Sequence, residues 1–105
     1  MIIEITTQKE FEEKINLGVC LVDFWAEWCG PCRMLGNILN EVDNDSITII
    51  KVNVEEVPEL ASQFNVQSIP HIVLFKNGAE VSCKTGFSPK STLLKWIENS
   101  NKTQL

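Results

Sequence analysis

Two cysteines separated by two residues, Cys29-Gly30-Pro31-Cys32, are the groups in this chain best suited to chemistry. Thiols at that spacing can bridge each other with little backbone movement, and so can pass between dithiol and disulfide. The residues between them suit that use. Proline fixes φ and carries no N–H, and glycine lets a partner chain approach closely. The pair follows a strand-like apolar run and opens a helix-like segment. Cys29 would then lie at the positive end of a helix dipole, among backbone N–H groups without intrahelical partners. Both favour the thiolate, the attacking species. Cys32 lies a turn further in and should be more buried. The arrangement predicts an exposed nucleophile, Cys29, and a resolving thiol, Cys32. Cys29 would attack a disulfide in a target protein and form a mixed disulfide, and Cys32 would release the reduced target.

The second step needs a base for Cys32. Asp23 is the candidate, being the one charge in the apolar run from Val19 to Phe24. Burial should push its pKa upward, towards the range where a carboxyl exchanges protons near neutral pH. A plainer reading pairs Asp23 with a lysine such as Lys51, near the start of another β-branched run. The two are compatible, since Lys51 would tune Asp23.

Other groups invite weaker readings. Cys20 and Cys83 read as small hydrophobes, with a regulatory thiol as the alternative at Cys83. His71 could tune the cysteine pair or sense pH, or be a satisfied strand histidine. A metal module built from Cys29, Cys32, His71 and Cys83 competes with the redox reading. It is disfavoured because only one Cys-x-x-Cys is present and Pro31 stiffens it. A non-catalytic interaction subunit is the third possibility.

The elements that must position these residues alternate. Ile2 to Thr6 reads as a strand. Thr7 and Glu10 form a capping box for a helix carrying Phe11 and Ile15, which stops near Gly18. Val19 to Trp25 reads as a strand buried on both faces. Leu35, Ile38, Leu39 and Val42 make an amphipathic stripe after Cys32. Ile47 to Val54 is a second central strand, and Pro58 begins a helix bearing Leu60, Ala61 and Phe64. Ile72 to Lys76 and Ala79 to Lys84 flank Asn77-Gly78, a strong hairpin signal. Ser88-Pro89 opens a last helix on which Leu93, Leu94 and Ile97 should face inward. The order βαβαβαββα predicts an α/β fold, a mixed five-stranded sheet with four helices on its two faces.

Bulk composition bounds the remainder. The 105 residues fit one domain, 1–105, and 44% hydrophobic with 22% charged residues is a globular balance. Nine basic against 14 acidic residues, net −5, argues against nucleic acid and anionic membrane surfaces. No apolar run approaches the roughly 18 residues of a membrane span, and no leader is evident. A cytosolic location is expected, where structural disulfides are rare and a close cysteine pair is more often catalytic or metal-binding.

Phe24-Trp25-Ala26-Glu27-Trp28-Cys29-Gly30-Pro31-Cys32-Arg33-Met34 closely resembles the active-site segment of thioredoxins. Ile69-Pro70 and Phe75-Lys76-Asn77-Gly78 resemble the family's second signature. Asp23 and Lys51 fall on the family's buried aspartate and its lysine partner, and Gly86 on the glycine that closes the binding surface. The likeness runs from about Thr6 to Ile97. It implies a protein-disulfide reductase without a cofactor, acting on disulfide-containing target proteins, recycled by a thioredoxin reductase and working as a monomer. That reductase is a nicotinamide–flavin or a ferredoxin-linked enzyme. It further implies that Pro70 is a cis-proline facing the cysteines. The backbone of Ile69 would pair with an extended target segment, and Trp28, Gly30, Pro31, Ile69, Pro70 and Gly86 would form a flat docking surface. Trp25 would support the loop from below, its indole N–H directed to Glu55. The chain departs from the pattern at Asn37, where a kinking proline is usual, at His71 (commonly Thr) and at Arg33 (commonly Lys). The stretch from Glu41 to Ser46 is also short. Gly36-Asn37 should loosen the helix without a fixed kink.

Overall fold

The computed structural model describes residues 1–102, so the last positions of the expected span 1–105 lie outside the described residues. The elements are β1 (Ile2–Ile5), α1 (Gln8–Lys14), β2 (Val19–Trp25), α2 (Gly30–Val42), β3 (Thr48–Asn53), α3 (Pro58–Gln63), β4 (His71–Lys76), β5 (Ala79–Thr85) and α4 (Lys90–Lys102). They form one five-stranded sheet in the order β1-β3-β2-β4-β5. β1 and β2 both run parallel to β3, whereas β4 is antiparallel to β2 and β5 to β4. The mixed sheet expected from the alternation is what forms.

β2 lies at the centre, with strands on both edges and helices over both faces. That placement accounts for a run in which every residue from Cys20 to Phe24 is buried. Side chains alternate between the two faces. Cys20, Val22 and Phe24 join a core with Phe11 of α1 and Leu60 of α3. There Phe11, Phe64 and Phe75 meet edge to face, with ring centroids 5.5–5.8 Å apart, the geometry aromatic quadrupoles favour. Leu21 joins the opposite core, with Leu35, Leu39 and Val42 of α2 and Leu93 of α4. Asp23 shares that face by the strand's period of two, under α2.

Local rules set the element ends. Thr7 caps α1 by accepting the N–H of Glu10 at 3.1 Å. The Glu10 carboxylate reaches back one residue further than a capping box requires, accepting the N–H and hydroxyl of Thr6; those bonds hold its pKa below the usual carboxylate range. At the β4–β5 turn Asn77 and Gly78 both adopt positive φ, 52° and 86°, which a tight hairpin needs and these two residue types tolerate. α2 runs unbroken through Gly36 and Asn37, so the loosening expected there does not interrupt the helix.

One expectation about α4 is overturned. Leu93 is fully buried and Trp96 and Ile97 pack against the core, but Leu94 is 44% exposed. The buried stripe follows i, i+3, i+4 and i+7, which runs 93, 96, 97 and 100 and leaves 94 at its edge. Ser100 closes the stripe, its hydroxyl 2.7 Å from that of Ser82 on β5.

Candidate active site

Trp25 ends β2, and Ala26 to Cys29 turn the chain into α2. The Cys29 N–H donates to Ala26 O at 3.2 Å. Cys29 is then the N-cap of α2 and its Sγ accepts the N–H of Cys32 at 3.2 Å. A cap position is normally held by a side-chain oxygen. Here sulfur takes it, and so lies where helix N–H groups stabilise negative charge. Pro31 stands in the first turn, where its missing N–H leaves no bond unmade. Cys29 and Cys32 form a disulfide.

Cys29 does not have the exposure expected of it. It is 5% accessible and Cys32 2%, because Ala26 packs with the pair and Trp25, Val54 and Ile69 close around it. Cys29 keeps the larger opening. The Ile69–Pro70 peptide bond is cis, as the resemblance implies, and Ile69 O lies 3.9 Å from Cys29 Sγ. Pro70 O accepts the N–H of Gly86 at 2.8 Å, with Gly86 at φ 95°. The bond fastens the β5 end to the Ile69-Pro70 loop, and the positive φ explains the glycine.

Trp28 is 68% exposed beside this pair. Its indole N–H donates to Glu55 Oε2 at 3.2 Å. Glu55 is set by an Asx turn in which the buried Asn53 accepts the Glu55 N–H at 2.9 Å through Oδ1. The expected partner of Trp25 is therefore corrected. Trp25 lies on the α2 face of β2, the face that Glu4 of β1 shares, and its indole N–H donates to Glu4 Oε2 at 3.2 Å, while Glu55 serves Trp28.

Asp23 has no solvent exposure, and neither carboxylate oxygen has a hydrogen-bond partner. Lys51 Nζ lies 3.6 Å from Oδ2 and 5.0 Å from the centroid of the Trp25 ring. Burial pushes the Asp23 pKa up to about 6, with Lys51 opposing and Glu4 adding to the rise. Gly36 of α2 faces the lysine: a Cβ there would come within 3.4 Å of Nζ. Arg33 turns away, its Nη1 donating to Glu27 O at 2.7 Å.

An open groove of about 420 Å³ begins at Trp28 and Ile69 and continues over Val54, Ala61, Val66, Gln67 and Ser68. Of these, only Trp28 and Ile69 belong to the docking surface that the family resemblance implies. The wall from Ala61 to Ser68 comes from α3 and the loop after it, whose apolar residues signal core as readily as surface. Pro31 adds exposed apolar surface between the two cysteines. The proposed metal set does not assemble: among the described residues no three His, Cys, Asp or Glu groups could hold a metal ion. His71 instead shares a hydrogen bond with Thr85 Oγ1 at 2.8 Å through Nδ1.

A profile of the Thioredoxin family matches residues 2–99. The thioredoxin of Rickettsia bellii is 45% identical over 100 residues, spanning 90% of this chain and 94% of its own length. That of Staphylococcus saprophyticus is 44% identical over 101 residues, spanning 93% and 97%. The chain belongs to the thioredoxin family. Solved thioredoxins share its architecture. One from Halobacterium salinarum superposes with a TM-score of 0.87 at 31% identity, covering 94% of this chain and 89% of that one. One from Plasmodium falciparum gives 0.83 at 35%, covering 91% and 96%. As a thioredoxin-family protein the chain is a thiol–disulfide oxidoreductase that reduces disulfides of target proteins through Cys29-Gly30-Pro31-Cys32. Among the described residues no helix is long and apolar enough to cross a membrane.

Proposed function

We propose that Cys29 is the nucleophile of this reductase and Cys32 the resolving thiol, with Asp23 as proton acceptor and Lys51 as its tuning partner. The observation that carries the reading is the capping bond from Cys32 N–H to Cys29 Sγ. It stabilises negative charge on one sulfur of the pair and leaves the other inside the first turn of α2. The Cys29 thiolate attacks one sulfur of a target disulfide, and the other target sulfur leaves as thiolate and takes a proton from solvent. Cys32 then gives its proton to Asp23 and attacks Cys29 Sγ. The second target sulfur departs, and the electron pair of the dithiol now resides in the reduced target. With a pKa of about 6, Asp23 is mostly ionised at neutral pH and able to accept that proton.

Trp28, Gly30, Pro31, Ile69, Pro70 and Gly86 form the docking surface. An extended target segment pairs with the backbone of Ile69, a short form of strand addition. Trp25 supports the loop by stacking over Lys51 and bonding Glu4. The chain acts as a single-domain monomer in the cytosol and is returned to the dithiol by a thioredoxin reductase.

The test is the reduction of an exposed interchain disulfide with a dithiol as electron source. Cys29→Ser should abolish turnover. Cys32→Ser should accumulate a mixed disulfide joined through Cys29, seen by mass spectrometry after acid quench. Full activity in the Cys29→Ser protein would overturn the assignment.

A further inference from the structure

Three neighbouring strands place charged residues side by side in one row of the sheet. Glu4 of β1 is paired with Lys51 of β3, and Lys51 with Asp23 of β2. Laterally paired residues point to the same face, here the face covered by α2. The row passes from an exposed carboxylate, through an ammonium that is 22% exposed, to a carboxylate with no exposure. Beyond Asp23 it continues through Ile72, which adds no charge. From above, α2 presents Gly36 to the lysine.

Trp25 binds the row together a second time. Its ring lies over Lys51 Nζ and its indole N–H is held by Glu4 Oε2. Lys51 is thus flanked by Asp23 on one side and the Trp25 ring on another, and Glu4 is its paired neighbour on β1, beyond ion-pair distance. We propose that Glu4 is a positioning residue of the redox site, sharing Lys51 with Asp23 and thereby setting how readily Asp23 takes the proton of Cys32. This rests on the reading of Asp23 as proton acceptor.

The charges point the same way. A carboxylate at Glu4 draws Lys51 away from Asp23 and repels Asp23 directly, and both favour protonated Asp23. Glu4 is among the groups that raise the Asp23 pKa, after burial and against Lys51. Glu4, exposed but partly desolvated by its neighbours, is itself raised by that desolvation, opposed by its bond from Trp25 and by Lys51, with Glu56 adding to the rise. Glu4, Lys51 and Glu56 are thus the charged groups that bear on the row besides Asp23.

The test follows the Asp23 carboxyl by ¹³C NMR titration in the full chain, alongside single-turnover rates of mixed-disulfide resolution between pH 5 and 8. Glu4→Gln keeps an acceptor for Trp25 and removes the charge. It should lower the Asp23 midpoint by about half a pH unit and move the acid limb of the resolution rate by the same amount. Glu4→Asp keeps the charge with a shorter reach and should restore the midpoint to near its original value. An unmoved midpoint in Glu4→Gln, or equal shifts in both variants, overturns the proposal. Asp23→Asn separates the two readings. If it removes the acid limb while Glu4→Gln moves nothing, only the role of Glu4 falls. If it leaves the acid limb in place, the role of Asp23 falls and that of Glu4 with it.

Discussion

Lys51 Nζ lies 3.6 Å from Asp23 Oδ2, near enough to attract and too far to hydrogen-bond. The attraction is therefore incomplete, and the buried carboxylate keeps two unsatisfied oxygens. Its pKa rises from 3.8 to about 6. The folded state thus binds the Asp23 proton more tightly than the unfolded chain does. The stability this contributes is fully present below about pH 4 and is lost as pH rises through about 6. Some two pH units correspond to about 3 kcal/mol. Asp23→Asn should therefore stabilise the oxidised protein by up to about 3 kcal/mol at pH 8, with the gain vanishing towards pH 4. Urea unfolding of both proteins across that range checks it, and an equal gain at both ends would exclude titration of Asp23 as the cause.

Gly36 offers a second handle on the same pair. Alanine is favoured over glycine in a helix interior by about 1 kcal/mol, and its Cβ would meet Lys51 Nζ at 3.4 Å, a contact that fits. Gly36→Ala should raise stability by up to about 1 kcal/mol and leave the Asp23 titration in place. Gly36→Leu should displace the ammonium and raise the Asp23 midpoint. Thermal unfolding with NMR titration reads both, and a lowered midpoint in Gly36→Leu would contradict the geometry.

Trp28 is the most exposed large side chain at the site, and its bond to Glu55 fixes where its indole stands. One exposed hydrogen bond contributes about 1 kcal/mol. Glu55→Ala should thus reduce kcat/KM for a protein disulfide by about fivefold, mainly through KM. Glu55→Gln retains an acceptor and should stay close to the parent. Steady-state kinetics decide, and a loss confined to kcat would argue that Glu55 acts in the chemical steps.

His71 is the sole histidine, so its ring can be followed without ambiguity. Burial lowers its pKa from 6.5, with Glu80 partly opposing. A depressed histidine contributes stability that is present above pH 6.5 and lost as pH falls through the lower folded value. ¹⁵N NMR should give a midpoint below 6.5, and a midpoint above it would show that the ring gains more from a charged neighbour than burial removes.

What the sequence disclosed, and what it hid, divides along a physical line. Element order, the hairpin at Asn77-Gly78, the helix of Leu35, Leu39 and Val42 and the buried Asp23 follow from short-range patterns. Backbone propensity and local periodicity encode them. The partner of Trp25 does not, because Glu4 reaches it across β3, and strand neighbours two rungs apart leave no mark on local sequence. The burial of Cys29 is similar. A helix start favours exposure, but Ile69 and Val54 arrive from distant segments and close over it. Leu94 departs from expectation for a narrower reason: residues 93 and 94 differ by 100° around a helix, and only one can lie at the centre of the stripe.

The 5% exposure of Cys29 limits the direction from which another sulfur can reach it. Small oxidants and free thiols meet a sulfur recessed behind Trp25, Val54 and Ile69. A target segment seated on the proposed docking surface at Trp28 and Ile69 would bring its own disulfide down to it. Three sulfurs must line up for exchange, so a recessed sulfur admits a partner from one side only, and the shape of that side becomes part of the reaction.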